Sequence, residues 1–346
     1  MIPVKQLHRR ATMELVDLSD GTRPATAADV AALAGVSRAT VSHILNGRDE
    51  RFPEHTRARV RAAAERLDYR PSPAGRSLVR GRGDTIVVLI PNISVGSRMQ
   101  EALERLAEQT TGLQSNVVLR FAGDDSDATA DAVLKLRPLA VVDFGALTIP
   151  ARARLLAHGV PTVPELERPF TAGGIPLDHA IAELQVAELV ARGPRRILFG
   201  AVPEAGRNPL STRRLEALRT ACARRGLPAP VAIDLVPVLV DAVAVLRAEL
   251  PFGPVGVAGY NDIAALTVLS AARELDVAVP GQVSVVGVDR TDIGQLWKPR
   301  LTTVDVDIRV LMDAAARDVR TILDGTIAPD RPALDDALHL VEGEST

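Results

Sequence analysis

The segment VSRATVSHILNG, residues 36–47, carries the side chains best spaced for chemistry, and that chemistry is hydrogen bonding rather than bond making. On a helix opening at Ser37, the residues Val41, Ile44 and Leu45 share one face, which leaves Arg38, Ala39, Ser42 and His43 outward. A guanidinium such as Arg38 can donate two hydrogen bonds to a guanine edge, and the Ala39 methyl suits a thymine methyl. Ser37 and Thr40 are short donors suited to phosphate, as are free amides at a helix start. Sets for covalent catalysis are missing: there is no GxxxxGKS/T, no GxSxG and no HExxH. The six histidines are scattered, none at metal-ligand spacing from another or from Cys222, so no enzyme, cofactor or metal site is expected. The acidic run DDSD at 124–127 reads as a helix cap rather than a cation site.

The elements that must hold the 36–47 segment are legible on both sides of it. Thr26 caps a helix with Asp29 in its first turn; Val30, Leu33 and Ala34 form its apolar face, and Gly35 stops it. A third helix, from about Pro53 to Leu67, turns Val60, Ala63, Ala64 and Leu67 inward and Arg57, Arg59, Arg61 and Arg66 outward. Three short helices with a glycine turn between the first two describe a helix-turn-helix unit over residues 23–70. The same pattern also fits an ordinary surface helix in a small bundle, and charge separates the two readings. Residues 1–83 hold 15 Lys/Arg against 9 Asp/Glu, whereas residues 84–346 hold 26 against 34. The basic end is therefore the expected polyanion contact, although the whole chain has a net charge of −2.

Residues 1–22 show no periodicity and read as a loose leader without the apolar core of a signal peptide. No run approaches a membrane span, and one cysteine excludes an internal disulfide, so a soluble cytoplasmic protein is expected. Arginine supplies 38 of the 41 basic residues, a genomic bias that carries no functional weight. The stretch 71–83, rich in Pro, Gly, Ser and Arg, is a linker. Beyond it, apolar runs at 85–90, 115–120, 139–144, 195–200, 253–260 and 283–288 alternate with Ala/Leu-rich helical stretches. Continuous apolar strands separated by helices imply parallel sheets covered on both faces, here two α/β lobes. The first lobe is expected at about 84–192 and 304–327, and the second at about 193–303 and 328–346.

The string TAADVAALAGVSRATVSHILNG, followed by HTRARVRAAAERLDYRPS and GRSL, resembles the N-terminal domain of the lactose-repressor (LacI/GalR) family of bacterial transcription regulators. The resemblance continues through GYNDIAAL, VPGQVSVVGVD and LTTV. It implies a helix-turn-helix domain followed by a type I periplasmic-binding-protein-like effector domain. It also implies a homodimer, or a tetramer built from dimers, on a pseudo-palindromic double-stranded operator. The family's base-reading positions fall on Arg38, Ala39 and His43; the family usually has arginine where this chain has His43, so base preference there should be altered. Thr26, Ser37, Thr40, Ser42, Asn46, Arg57 and Tyr69 complete the expected DNA-contacting set.

In the linker, the family implies a hinge helix that folds on DNA. Ser72 suits its N-cap, Pro73 its first position, Arg76 a phosphate contact and Leu78 an apolar wedge between base steps. Gly75 softens it by about 1 kcal/mol relative to Ala. In the large domain, the resemblance implies a small polar effector, a sugar or nucleoside, between the lobes. Asp262 and Arg214 match its carboxylate and guanidinium contacts, Asp289 ends a strand where such sheets bind ligands, and Asn92 and Ser94 keep the family's start of the first loop. The usual aromatic pair after that loop is missing, which leaves Trp297, Phe144 and Tyr260 as candidates to line the cleft. A small-molecule-binding protein with a vestigial basic domain is the alternative reading.

Overall fold

The computed structural model describes residues 25–46, 49–70, 83–91, 97–111, 115–193, 195–201, 209–326 and 333–346. It divides into two compact units between Gly81 and Arg82.

The first unit holds α1 (Ala27–Ala34), α2 (Arg38–Leu45) and α3 (Glu54–Arg66). Thr26 opens α1 with its backbone N–H on Asp29 Oδ2 at 2.8 Å and its hydroxyl on the same oxygen at 2.7 Å. Gly35 closes it at φ 62°, a left-handed position where a side chain would be strained. Val30, Ala31, Ala34, Val41, Ile44, Val60, Ala63 and Ala64 make one core, with Leu45, Phe52, Leu67 and Tyr69 packed at its margin. Leu33, expected in that core, is instead 46% exposed. The buried stripe runs 30, 31, 34 with Ala27 at its margin, which leaves Leu33 to the side.

The second unit is built on two parallel sheets. The first has order β2-β1-β3-β4, from β1 (Thr85–Ile90), β2 (Asn116–Phe121), β3 (Ala140–Asp143) and β4 (Thr162–Val163). Around it lie α4 (Ser97–Thr110), α5 (Ser126–Lys135) and α6 (Ile149–Ala157). A small hairpin of β5 (Thr171–Ala172) and β6 (Ile175–Pro176) leads to α7 (Leu177–Val190). The second sheet comprises β7 (Arg196–Ala201), β8 (Val231–Asp234), β9 (Val255–Gly259), β10 (Val283–Val288), β11 (Thr302–Val306) and β12 (Leu338–Val341). Its order is β12-β11-β10-β9-β7-β8, and only β12 runs antiparallel. The remaining helices are α8 (Pro209–Arg224), α9 (Leu239–Glu249), α10 (Asp262–Glu274), α11 (Asp292–Leu296) and α12 (Ile308–Asp324).

Alternation along each central strand feeds two cores, one per face. Ile86, Val88, Ile90, Ala140 and Val142 meet α4 and α12, while Val87, Leu89 and Val141 meet α5 and α6. In the second sheet, Leu198, Val255, Val257, Val283 and Val285 meet α9 and α10; Ile197, Phe199, Val286 and Val288 meet α7 and α8.

The lobe boundaries differ from those expected. Helix α7, expected in the first lobe, buries Ile181, Val186 and Leu189 on the second sheet. The chain therefore crosses near 177 rather than 193. It crosses back after β11 at 307 rather than 304, and finally at 338 rather than 328, since Leu334 and Ala337 belong to the first lobe's core. The second sheet needs cover on the face that α8 leaves partly bare, and the helix before its first strand supplies it.

Gln185 anchors that crossing: its amide donates to the Gly259 carbonyl at 2.9 Å and the Val286 carbonyl at 3.2 Å, both deep under α7. Gln185→Leu leaves two buried carbonyls short of a donor and should lower stability to urea by about 1–3 kcal/mol. A change of only a few tenths would mean that α7 is not seated on this sheet.

Candidate nucleic-acid interface and effector cleft

Helix α2 is oriented by what it buries. Val41 and Ile44 are 1% and 3% exposed, so Ser37, Arg38 and Ala39 at its start stand in solvent. Ser37 has extended backbone; its Oγ accepts from Thr40 N at 3.0 Å and lies 2.9 Å from Thr40 Oγ1. The first turn is thus capped, with the Arg38 guanidinium and Ala39 methyl at the exposed end. Ser42 and His43 follow, half-buried, with the imidazole centroid 6.2 Å from that of Phe52.

Four other residues expected at DNA are engaged within the unit. Asn46 turns back on its own helix, with Nδ2 donating to Ser42 O at 2.6 Å. Arg57 pairs with Glu54 at 2.5 Å and lies 3.9 Å from Asp49. Tyr69 packs on the three-helix core, and Thr26 caps α1. Each does local structural work that the amphipathic pattern could not separate from contact. Ser72, Arg76 and Leu78 lie outside the described residues, as do Asn92 and Ser94.

In the second unit, Asp262 departs furthest from expectation. It is fully buried, and both carboxylate oxygens are committed: Oδ1 accepts from Thr303 Oγ1 at 2.6 Å, and Oδ2 from Thr291 N at 2.6 Å and Thr291 Oγ1 at 2.9 Å. Gly287 is required beside it, since a Cβ there would stand 2.2 Å from Oδ1. Asp262 ties the start of α10 to the loop after β10 and to β11, and presents no oxygen to a ligand. Burial pushes its carboxyl above the usual range, against the hydrogen bonds from Thr303 and Thr291 that pull it down.

The aromatic candidates pack on the cores too, Tyr260 buried and Trp297 and Phe144 half-buried. Trp297 packs on the α9–α10 side of the second sheet, Phe144 on the first lobe's core, and Tyr260 is 1% exposed. Asp289 is half-buried at the end of β10, at φ 102°, with its N–H on Val304 O at 3.0 Å. A non-glycine residue held there is strained, which is common in loops that serve a site.

Arg214 donates to the Tyr260 carbonyl, with its guanidinium 5.0 Å from the centre of that ring. Its neighbour Arg213 donates to Asp178 Oδ2 at 3.1 Å, and Arg214 Nε lies 3.8 Å from Asp178 Oδ1. Arg213 also reaches the first lobe. A Cβ on Gly145, in the loop after β3, would stand 2.6 Å from Arg213 Nη2 and 3.1 Å from Leu210.

One turn from that contact, Asp143 is buried. Its Oδ1 accepts from Gly145 N at 3.1 Å and Ala146 N at 2.8 Å. Its Oδ2 is 3.6 Å from Arg152 Nε and has no hydrogen-bond partner among the described residues. Burial raises this carboxyl, while the Arg152 and Arg213 charges oppose that. Asp143 could have been found from sequence, as an acid before glycine at the C-terminal end of a parallel strand. Nothing local marks Arg213 or Gly145, because their meeting joins two lobes. Among the described residues no cluster of three potential metal ligands occurs, and no helix is long and apolar enough to cross a membrane.

Comparison with known proteins gives the arrangement its place. Residues 26–72 match the model of bacterial regulatory proteins, lacI family, and residues 186–346 that of a periplasmic binding protein-like domain. The HTH-type transcriptional repressor CytR of Escherichia coli (strain K12) is 30% identical over 296 residues, covering 81% of this chain and 84% of CytR. The chain belongs to the lacI family of bacterial regulatory proteins. A second member, the HTH-type transcriptional regulator MalR of Streptomyces coelicolor, is 31% identical over 334 residues, covering 87% of this chain and 91% of MalR. The lac repressor dimer bound to operator and the anti-inducer ONPF shares the fold, with a TM-score of 0.70 at 22% identity over 93% of this chain and 99% of that one. This lacI-family member is thus a helix-turn-helix domain joined to a type I periplasmic-binding-like α/β domain.

The tie at Asp262 has a signed pH dependence. A carboxyl raised in the folded state contributes stability that is present below its unfolded value and lost as pH rises through the folded one. Thr303→Val removes a donor that lowers the Asp262 carboxyl, so that carboxyl should rise further. The variant should lose about 1.5–3 kcal/mol near neutral pH and progressively less toward pH 4. Urea unfolding across that range checks it, and a loss independent of pH would contradict the account.

Proposed function

We propose that this protein is a transcriptional repressor that binds a pseudo-palindromic operator as a homodimer and answers to a small polar effector. The observation that carries the DNA half is the exposed, capped start of α2, Ser37-Arg38-Ala39, standing opposite the buried Val41 and Ile44. A helix presented in this way enters a major groove by its N-terminal half, with Arg38 and Ala39 on base edges and Ser37 and Thr40 on phosphate. Ser42 and His43 read the next step along the groove. Outside the described residues, Ser72, Arg76 and Leu78 supply the hinge: a cap, a phosphate contact and a minor-groove wedge. Asn46, Arg57, Tyr69 and Thr26 act in this reading by holding the domain rather than by touching bases.

The twofold assembly is supported by the lac repressor structure, which is a dimer on its operator. Two recognition helices related by a twofold axis require a palindromic site. The protein acts by binding, in the cytoplasm, and not by catalysis.

For the effector, the reading draws on the lobe-to-lobe contact at Gly145 and Arg213 and on the nearby Asp143–Arg152 ion pair, whose Asp143 Oδ2 accepts no hydrogen bond among the described residues. A carboxylate and guanidinium groups brought together where the lobes meet suit a polyhydroxyl ligand such as a sugar or nucleoside. Arg214, Asp289, Asn92 and Ser94 complete the proposed lining, and Asp262 and Trp297 stand behind it.

Selection of bound duplexes from a random pool at near-physiological salt tests the first half. Wild-type protein should enrich a palindrome, and Arg38→Ala should lose about 1–3 kcal/mol of discrimination at one symmetric base pair. A pool left unenriched, with or without candidate ligands, would overturn the reading. Thermal shifts against pentoses and nucleosides test the second half. Arg213→Ala should weaken the active ligand about tenfold, removing roughly 1.4 kcal/mol of ligand-dependent stabilisation. Its operator affinity without ligand should stay within about twofold.

A further inference from the structure

Charged side chains alternate in sign from one lobe to the other. In the first lobe, Arg152 Nε lies 3.6 Å from Asp143 Oδ2. In the second, Arg213 Nε donates to Asp178 Oδ2 at 3.1 Å, and Arg214 Nε lies 3.8 Å from Asp178 Oδ1. Arg213 joins the two groups, since its Nη2 rests on the turn at Gly145, two residues past Asp143. Burial raises the Asp143 carboxyl, and the Arg152 and Arg213 charges both oppose that, so the attraction crosses the lobe boundary.

Asp178 therefore serves two arginines, and it matters more to one of them. Arg214 has a second anchor, because it donates to the Tyr260 carbonyl and stands 5.0 Å from the centre of that ring. Arg213 is 44% exposed, and among the described residues its only hydrogen bond runs from Nε to Asp178. A long side chain with one anchor takes its direction from that anchor. The far edge of the guanidinium, with its Nη donors, is left for another acceptor.

The carboxylate is itself well placed to give direction. Asp178 is the second residue of α7, where a helix favours negative charge. Beside it, the Leu177 N–H donates to the Phe170 carbonyl at 3.0 Å, and the Leu177 side chain packs on the cores of both lobes. Asp178 thus follows the crossing directly, while its arginine returns to the first lobe at Gly145. Gly145 is open to that return, for its φ of 87° suits glycine and a Cβ would stand 2.6 Å from Arg213 Nη2.

We propose that Asp178 is a positioning residue for effector recognition, which holds Arg213 across the lobe boundary with its Nη edge free to meet the ligand. This rests on the effector reading above, and extends it to a residue that acts through Arg213.

The test uses the full-length chain and two readouts. In the free protein, hydrogen exchange of residues 144–148 reports whether Arg213 still rests on the turn. Asp178→Asn and Arg213→Ala should each speed that exchange about threefold, and the double variant no further. Thermal shifts with ribose, xylose, adenosine and uridine then give affinities. For the probe that wild type binds most tightly, Asp178→Asn should weaken binding about three- to fivefold. Arg213→Ala should weaken it about tenfold, and the double variant no more than that. Without ligand, Asp178→Asn should shift the melting temperature by about 2 °C or less, since the pair is partly exposed.

Wild-type exchange in Asp178→Asn would overturn the proposal. So would a loss of affinity that adds to that of Arg213→Ala, because Asp178 would then act without Arg213. A larger fall in melting temperature with affinity unchanged would make the carboxylate structural and overturn it as well. In each of these cases a probe bound by wild type and weakened by Arg213→Ala leaves the effector reading standing. If no probe shifts wild type, that reading fails and the role in recognition falls with it.

Discussion

A parallel strand in the middle of a sheet offers side chains to both faces, and neither face can be left to water. That requirement organises the large unit. Ile86, Val88 and Ile90 need α4 and α12, although α12 lies more than two hundred residues further along the chain. Ile197, Phe199 and Val286 need α7, although α7 follows the first lobe without a break. Each lobe is therefore completed by an element from beyond a crossing, and the crossings near 177, 307 and 338 tie the lobes into one unit.

The same economy acts on charge. Asp262 stands at the start of α10, in a position where a carboxylate could serve a ligand or the protein. Two threonines and a glycine decide for the protein: Thr291 and Thr303 take both oxygens, and Gly287 makes the room. Asp143 differs: Oδ1 is held by backbone amides, and Oδ2 faces Arg152 at 3.6 Å without a hydrogen bond among the described residues. A buried carboxylate with an unfilled acceptor is costly unless something supplies a donor. In its neighbourhood Arg152 and Arg213 converge and supply opposite charge, and the two lobes touch at Gly145.

In the small unit the governing choice is which stripe of a two-turn helix is buried. Once Val41 and Ile44 lie against Val30 and Val60, Arg38 and Ala39 at the start of α2 stand in solvent, while Leu45 packs at the margin of the core. His43, half-buried on the same helix, has a structural partner in Phe52. Phe52 sits on the core beside it, its ring 6.2 Å from the imidazole centre.

What the sequence by itself determined is local. Thr26, Gly35 and Ser37 set where helices begin and end, the apolar runs became strands β1, β3, β7, β9 and β10, and the outward Arg38 and Ala39 follow from a period of 3.6. These signals act over one or two turns, within reach of neighbouring residues. Tertiary structure alone decided the lobe that receives α7, the withdrawal of Asp262, the burial of Tyr260, the packing of Trp297 against the second lobe's core, and the meeting of Gly145 with Arg213. Leu33 and Asn46 belong there too, since a stripe's edge and an amide's direction depend on the neighbouring helix or on a rotamer. The physical reason is range. Thr291 and Thr303 lie 29 and 41 residues beyond Asp262, and the carbonyls on Gln185 lie 74 and 101 residues beyond it, separations over which no periodicity carries information.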